Sequence, residues 1–285
     1  MDDHPILFEG IHTTYWISAG KLRDRRVFVR LHNAEFVYYH RLAKTATGLF
    51  RRLYYLHESW LLKSYERKLA PYAYFLAVNR NDADLYRKRF GAKDIGYLPV
   101  FLPFTRTGSK EGRGNYCLYH GNLAVSENEE AAKWLLKEVF NDLQVPFVIA
   151  GRNPSAKLEK LVHENRHTCL VANPHEKEML DLVVRAQVNV LPSFNQTGIK
   201  LKLLNAFFNG RHCLVNNATV SGTGLEGLCH IANGAESFRG NIADLYNQDF
   251  TESERVQRDD IFQREFNNDT NARELIRIIW DNEKT

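Results

Sequence analysis

Short apolar runs separated by helix-period stretches recur along nearly the whole chain, and this alternation restricts it to βαβ architecture. In the second part, NYCLYHG (115–121), VPFVIAG (145–151), CLVAN (169–173) and VNVLPS (188–193) read as strands, followed by RHCLVN (211–216) and CHIAN (229–233). Amphipathic stretches at 127–141, 155–166, 176–186 and 199–209 lie between them, and a helical tail closes the chain. Six strands joined this way complete one right-handed, doubly wound parallel layer. The first part repeats the pattern with ILFEGI (6–11), RVFVRLH (26–32), FLAVN (75–79) and IGYLPVF (95–101), separated by helices near 34–47, 50–70 and 81–90. Between the parts, LPFTRTGSKEGRGN (102–115) is rich in Gly, charge and turn formers and reads as an interdomain linker. The expectation is an α/β protein of two Rossmann-like, doubly wound domains, residues 1–105 and 106–285, the second carrying C-terminal helices.

Four strands make a thin sheet, and the first begins within a few residues of Met1. Sheet-size priors favour a first domain that lacks its front over a naturally small one. Of 285 residues, 44% are hydrophobic and 25% charged, which excludes a disordered or collagen-like chain. No apolar run nears the roughly 18 residues of a membrane span. The start, MDDHPILFEG, lacks the basic segment and apolar core of a secretory signal. Cys117, Cys169, Cys213 and Cys229 each sit alone in an apolar run and read as buried thiols of a reducing, cytoplasmic compartment. The net charge of +4 is uneven: residues 1–101 hold 17 Lys+Arg and 10 Asp+Glu, whereas 102–285 hold 21 and 24.

Open parallel sheets bind ligands at the carboxyl ends of their strands. In the second domain those ends carry Gly121-Asn122, Gly151-Arg152-Asn153-Pro154, Asn173-Pro174-His175 and Ser193-Phe194-Asn195-Gln196-Thr197-Gly198. Glycine lets a backbone approach a phosphate closely, and a following helix N-terminus favours an anion. Lone glycines after strands are equally common for turn geometry. The densest signal is TGIKLKLLNA (197–206). Leu201, Leu204 and Phe208 share a face that should pack on the sheet, while Lys202 and Asn205 lie together on another. A Lys there can neutralise a diphosphate and an Asn can bond paired ribose hydroxyls; a solvated Lys and Asn is the other reading.

The stretch LPSFNQTGIKLKLLNAFFNGRHCLVN (191–216) resembles the nucleotide-sugar motif of retaining GT-B glycosyltransferases of the family-4 type, with Pro192-Ser193, Gly198, Ala206 and Gly210 in place. YHGNLAVSENEEAAKWL (119–135) resembles the first loop and helix of that family's C-terminal domain. RLHNAEFVYYHRLA (30–43) and FEGIHT (8–13) resemble segments of its N-terminal domain. The family's two glutamates, eight residues apart, fall at Thr197 and Asn205, and neither is acidic. Asn205 would retain ribose binding with less strength, and Thr197 would meet the donor sugar through its backbone. Gly198 and Lys202 fit the Gly-x-x-x-Lys variant of the motif.

The resemblance implies transfer of a sugar from a nucleotide-diphospho-sugar to a glycan or lipid-linked acceptor, in cell-surface polysaccharide synthesis. Gly121, Asn122, Arg152, Thr197, Gly198, Lys200, Lys202 and Asn205 would hold the donor. His12 would hydrogen-bond a sugar hydroxyl, with the leaving phosphate accepting the acceptor's proton; a packed or surface histidine is the competing reading. His32-Asn33 and Glu35 read first as a helix start, with Asn33 as N-cap. No metal or cofactor is expected: His163 and His167 lack acidic or Cys partners, and neither GxSxG nor a Walker motif occurs. The missing glutamates keep open a nucleotide-sugar-binding protein or fragment without transferase activity.

Residues 41–68 carry Arg41, Lys44, Arg51, Arg52, Lys63, Arg67 and Lys68 against Glu58 and Glu66, interleaved with Phe50, Tyr54, Tyr55, Trp60 and Tyr65. The pattern fits peripheral contact with the anionic inner face of a membrane, or two ordinary helices with an aromatic core face. Nucleic acid is not expected, since the pI of about 8.8 is modest and no RNA-binding motif occurs.

Overall fold

The computed structural model describes residues 3–46 and 48–280. All ten expected strands form, every pairing is parallel, and they divide into two sheets. The chain separates into two compact units: Met1–Pro103 with Thr197–Ile199 and Glu265–Thr285, and Phe104–Gln196 with Lys200–Arg264. The C-terminal segment and the three residues around Gly198 therefore group with the first unit, although sequence alone assigns both to the second domain.

Unit 1 holds β1 (Ile6–Glu9), α1 (Tyr15–Ser18), β2 (Val27–Leu31), α2 (Glu35–Thr45), α3 (Leu49–Leu69), β3 (Tyr74–Ala77), α4 (Arg80–Phe90) and β4 (Ile95–Tyr97). Its strands lie in the order β1-β2-β3-β4, without reversal. Right-handed crossovers in one direction put their helices on one face. There Val27, Val29, Leu31, Phe75, Ala77 and Ile95 pack with Phe36, Leu69, Ala83 and Tyr86. Arg26, Phe28 and Arg30 alternate to the other face. Arg26 donates to the Ile279 carbonyl of the last helix at 2.6 Å, and Arg30 donates to the Pro99 carbonyl.

Inside this unit Glu66 of α3 is fully buried, accepting from the Phe36 N–H at 3.0 Å and the Tyr86 hydroxyl at 2.7 Å. One carboxyl thus fastens α3 to the start of α2 and to α4. Burial pushes its pKa up to about 8 against the opposing pull of those two bonds. Asn33 does not cap α2: Ala34 stands at that position with no side-chain bond, and Asn33 reaches Glu35 instead.

Unit 2 holds β5 (Cys117–Asn122), α5 (Ser126–Trp134) continuing as a π-turn over Leu135–Val139, β6 (Phe147–Arg152), α6 (Ala156–Glu164), β7 (Thr168–Ala172), α7 (Glu176–Arg185) and β8 (Val188–Leu191). After β8 come α8 (Leu201–Asn209), β9 (His212–Val215), α9 (Asn217–Val220), β10 (His230–Ile231), α10 (Ala235–Tyr246) and α11 (Glu252–Ile261); α12 (Asn268–Trp280) returns to unit 1. The strand order β10-β9-β8-β5-β6-β7 reverses direction between β5 and β8, as a dinucleotide-type sheet does. At Gly151 the neighbouring strand comes so close that a Cβ would sit 2.0 Å from the Gly121 carbonyl oxygen. The expected linker is bound down from Phe104 onward: Gly108 and Ser109 bond the Phe208 carbonyl, and Gly112 exchanges backbone bonds with Phe250. Leu204 and Phe208 are buried as the helical pattern predicts, but Leu201, on the first turn, is 61% exposed. Cys117 and Cys213 are buried, whereas Cys169 lies exposed on the edge strand β7, because alternate residues of a sheet edge face outward. Among the described residues, no helix is long and apolar enough to cross a membrane.

Candidate functional site

The reversal between β5 and β8 marks the crevice where a sheet of this order takes its ligand, because the crossovers leave the two strand ends in opposite directions. The carboxyl end of β5 supplies Gly121 and Asn122, and the segment after β8 leads into α8. Asn128 of α5 ties these pieces together. Its side-chain amide donates to the Asn122 carbonyl at 3.0 Å, and its Oδ1 accepts from Lys202 Nζ at 2.9 Å. Lys202 also donates to the Tyr119 hydroxyl at 3.2 Å and lies 4.7 Å from that ring's centroid. The Tyr119 hydroxyl in turn donates to the Asn128 carbonyl at 2.8 Å. A Cβ at Gly121 would come to 3.3 Å from the Asn128 amide, so glycine keeps this strand end open beside it.

Lys202 is therefore a half-buried ammonium held by two neutral oxygens. An ammonium has three N–H bonds, and two are used here. Burial, with Lys200 adding repulsion, pushes its pKa down to about 8. Glu127, at the start of α5, opposes that shift, and its own carboxyl is raised by burial against the pull of Lys200, Asn195 and Lys202. Beneath them His120 is buried and pushed down to about 3, by burial first and Lys202 second. It is a neutral imidazole at any ordinary pH. The start of α8 completes the arrangement: Lys200 occupies the N-cap position without a side-chain cap, and the first turn holds no acidic residue. Uncapped N–H groups and an unquenched positive helix end favour an anion.

The other expected site residues are distributed as follows. Arg152 is exposed and sits opposite Asn122 in the β5–β6 register. Asn205 is half-buried, its side-chain oxygen accepting from Asn209 at 2.9 Å rather than joining Lys202. Thr197 is buried in unit 1. Gly198 adopts φ 63°, and its N–H, expected to be available to a phosphate, donates to Asp82 at 3.0 Å while its carbonyl accepts from Asn79 at 2.9 Å. A side chain at 198 would collide with Asn33, whose Oδ1 lies 1.9 Å from the Cβ position. In unit 1, His12 follows β1 in a single 3₁₀ turn, 62% exposed, with Nε2 3.8 Å from Glu35. His32 pairs with Glu9 at 2.8 Å beside it.

Sequence reasoning passed over Tyr119, His120, Glu127, Asn128, Asp82 and Asn79. Asn128 carried a signal, since a polar residue one turn into a helix that follows a Gly-ended strand faces the strand's carboxyl end. Nothing in the sequence marks Asp82 as a partner for a glycine 116 positions away.

The reversed six-stranded sheet and the second parallel sheet together match a known architecture. TarM, known from S. aureus, superposes with a TM-score of 0.71 at 12% identity, over 98% of this chain and 56% of its own. HepE of Anabaena, solved with UDP and glucose, superposes with a TM-score of 0.60 at 9% identity, over 98% of this chain and 100% of its own. The chain has the GT-B fold. A UDP-forming trehalose-phosphate synthase from Burkholderia xenovorans is also similar, with a TM-score of 0.63 at 10% identity over 99% of this chain and 74% of its own. A curated relative from Klebsiella pneumoniae, an uncharacterized 44.6 kDa protein in a cps region, is 23% identical over 230 residues. That match covers 77% of this chain and 58% of the relative, so the chain spans little more than half the length of this relative and of TarM. No protein-family profile matches the chain.

Proposed function

We propose that the protein is a retaining glycosyltransferase that moves a sugar from a nucleotide-diphospho-sugar to a glycan or lipid-linked acceptor. The observation that carries the reading is Lys202: a half-buried ammonium, bound only to neutral oxygens, beside the uncapped start of α8 at the reversal of the sheet. A diphosphate placed there gives the ammonium a counter-charge and the helix N–H groups an acceptor. In catalysis the same groups stabilise the charge that develops on the departing diphosphate, and the remaining rate comes from positioning. Gly121, Asn122, Gly198, Lys200 and Arg152 are assigned backbone approach and positive charge toward the diphosphate, Asn205 the ribose, and Thr197 a backbone contact with the donor sugar. His12, exposed after β1, is assigned a hydrogen bond to a sugar hydroxyl. UDP-containing structures among the similar proteins and the cps-region relative support a nucleotide-sugar donor and a role in cell-surface polysaccharide synthesis.

Titration calorimetry with UDP and a panel of UDP-sugars, followed by assays of donor hydrolysis and transfer, tests the reading. Binding with turnover is the expected result. Tight binding with neither hydrolysis nor transfer assigns the chain to the nucleotide-sugar-binding alternative, which Thr197 and Asn205 in place of the two glutamates would then explain.

Part of the proposal is cytoplasmic placement with peripheral contact to an anionic membrane through residues 41–68. Tyr65 of α3 packs against the core, but the earlier part of its apolar side does not: Leu49 is 68% exposed, Phe50 89%, Leu53 53% and Trp60 66%, next to exposed Arg51 and Arg52. An exposed apolar stripe edged by arginines suits an anionic bilayer surface. Sedimentation with phosphatidylglycerol vesicles should capture the wild type. Phe50→Glu with Leu53→Glu should release it, and equal capture of both would end this part of the proposal.

A further inference from the structure

His212, the first residue of β9, is completely buried, and its Nε2 lies 3.1 Å from the Gln248 carbonyl. A carbonyl only accepts, so Nε2 carries the ring hydrogen and Nδ1 of the neutral imidazole presents a lone pair. That Nδ1 is buried without a hydrogen-bond partner and faces Glu254 Oε1 at 3.6 Å. The other oxygen of Glu254 is engaged at the start of α11, accepting from the Thr251 N–H and hydroxyl at 2.8 Å each. Two electron-pair donors therefore face one another, the His212 nitrogen buried and the Glu254 side chain 30% exposed. His230 of β10 joins them, and the three ligand atoms all lie within 4.8 Å of one another.

Such an arrangement calls for a positive centre among the three atoms. Ligands about 2.1 Å from a zinc ion and separated by a tetrahedral angle lie about 3.4 Å apart, close to the 3.6 Å between Nδ1 and Oε1. The bond from the opposite ring nitrogen to a backbone carbonyl is the orientation that metal-bound imidazoles adopt. Arg211 and Arg258 lie nearby and weigh against any added positive charge. Both are committed elsewhere, Arg258 to the Phe207, Gly210 and Arg211 carbonyls and Arg211 to the Val184 carbonyl. Two imidazoles and a carboxylate form a donor set that zinc favours over calcium or magnesium.

We propose that His212, His230 and Glu254 form a structural site for one divalent transition-metal ion of zinc's preferences, clasping α11 to β9 and β10. The position excludes a part in donor binding. His212 opens β9 and so lies at the amino end of a parallel strand, whereas ligands of such a sheet bind at the carboxyl ends. The inference departs from the expectation of no metal. The three ligands are too far apart in sequence for a short motif, and only the sheet register and the α11 cap assemble them.

Cobalt chloride titrated into the chelator-treated full chain provides the test, because Co²⁺ reports a tetrahedral nitrogen–oxygen site through visible absorption bands. One equivalent should develop the bands, zinc should abolish them, and zinc should raise the melting temperature. Glu254→Gln keeps an oxygen for the Thr251 cap and should weaken cobalt binding by about tenfold or more; His230→Gln should do the same. UDP affinity should not change on metal removal. Absence of both bands and a thermal shift in wild-type protein with intact circular dichroism overturns the proposal. So does equal cobalt affinity in the wild type and both variants. If a variant fails to fold, the wild-type titration decides alone.

Discussion

Glu66 in unit 1 and Lys202 in unit 2 are displaced to the same pKa from opposite sides, and they mean different things. Burial raises the carboxyl from 4.5 to about 8 and lowers the ammonium from 10.5 to about 8. Glu66 is enclosed by three helices, and both its oxygens are used by Phe36 and Tyr86. Lys202 stands at the open end of a sheet, with neutral partners and an N–H to spare. The sheets explain the contrast. An order that never reverses, as in β1-β2-β3-β4, offers no crevice at its strand ends, so a displaced charge in it is an anchor. An order that reverses offers one, and a displaced charge there awaits a ligand. A shifted pKa becomes evidence of function only when a strand topology or cavity gives it somewhere to act.

The largest effect expected from this contrast is on the stability of unit 1. A carboxyl whose folded pKa lies above its unfolded value stabilises fully below the unfolded pKa, and that contribution is lost as pH rises through the folded one. For Glu66 the window runs from 4.5 to about 8, and the loss is on the order of 4 kcal/mol. Trp16, Trp60 and Trp280 all belong to unit 1, so a Trp134→Phe background makes fluorescence report that unit. Its urea midpoint should fall between pH 5 and pH 8, whereas added Glu66→Gln should flatten the profile. Parallel profiles with and without Glu66 would show that the carboxyl is not the anchor described.

Next in size is the loss of ligand when the charge of Lys202 is removed. Charge-assisted bonds to a phosphate contribute about 1.5–3 kcal/mol, so Lys202→Met should weaken UDP binding by roughly ten- to hundredfold. The same substitution should leave the melting temperature unchanged or raise it, since it removes a charge that is costly to bury. Opposite signs in the two assays mark a residue kept for its ligand. Unchanged calorimetry would remove the diphosphate assignment, and a lower melting temperature would make Lys202 an anchor like Glu66.

The elements were legible because each rests on local pattern: alternating apolar runs gave ten strands, and the spacing of Leu204 and Phe208 gave the buried face of α8. The position of Lys202, near the start of a helix that follows a strand, was legible for the same reason. What escaped depends on contacts across long separations. The Gly198 N–H is taken by Asp82, Asn33 is displaced from capping α2 by Ala34, and residues 265–280 return to unit 1. The face of α3 stayed open between a core and a surface for another reason. An aromatic stripe has the same spacing whether it faces a core or solvent, and only packing decides.

The smallest expected effect is also the most specific to the charge on Lys202. A diphosphate binds the ammonium and not the free amine, so affinity for UDP should fall as pH rises through about 8. Between pH 7 and pH 9 the protonated fraction of such a group drops roughly tenfold, and the apparent Kd should rise by about that factor. Lys202→Arg provides the control, because a guanidinium stays charged across the range. Its binding will be weaker than the wild type's at pH 7, since a planar fork does not fit the Tyr119 and Asn128 oxygens as a compact ammonium does. Its pH profile should nonetheless be flat. A wild-type profile equally flat would show that Lys202 titrates above this range, which would take away the displaced ammonium with neutral partners on which the contrast with Glu66 depends.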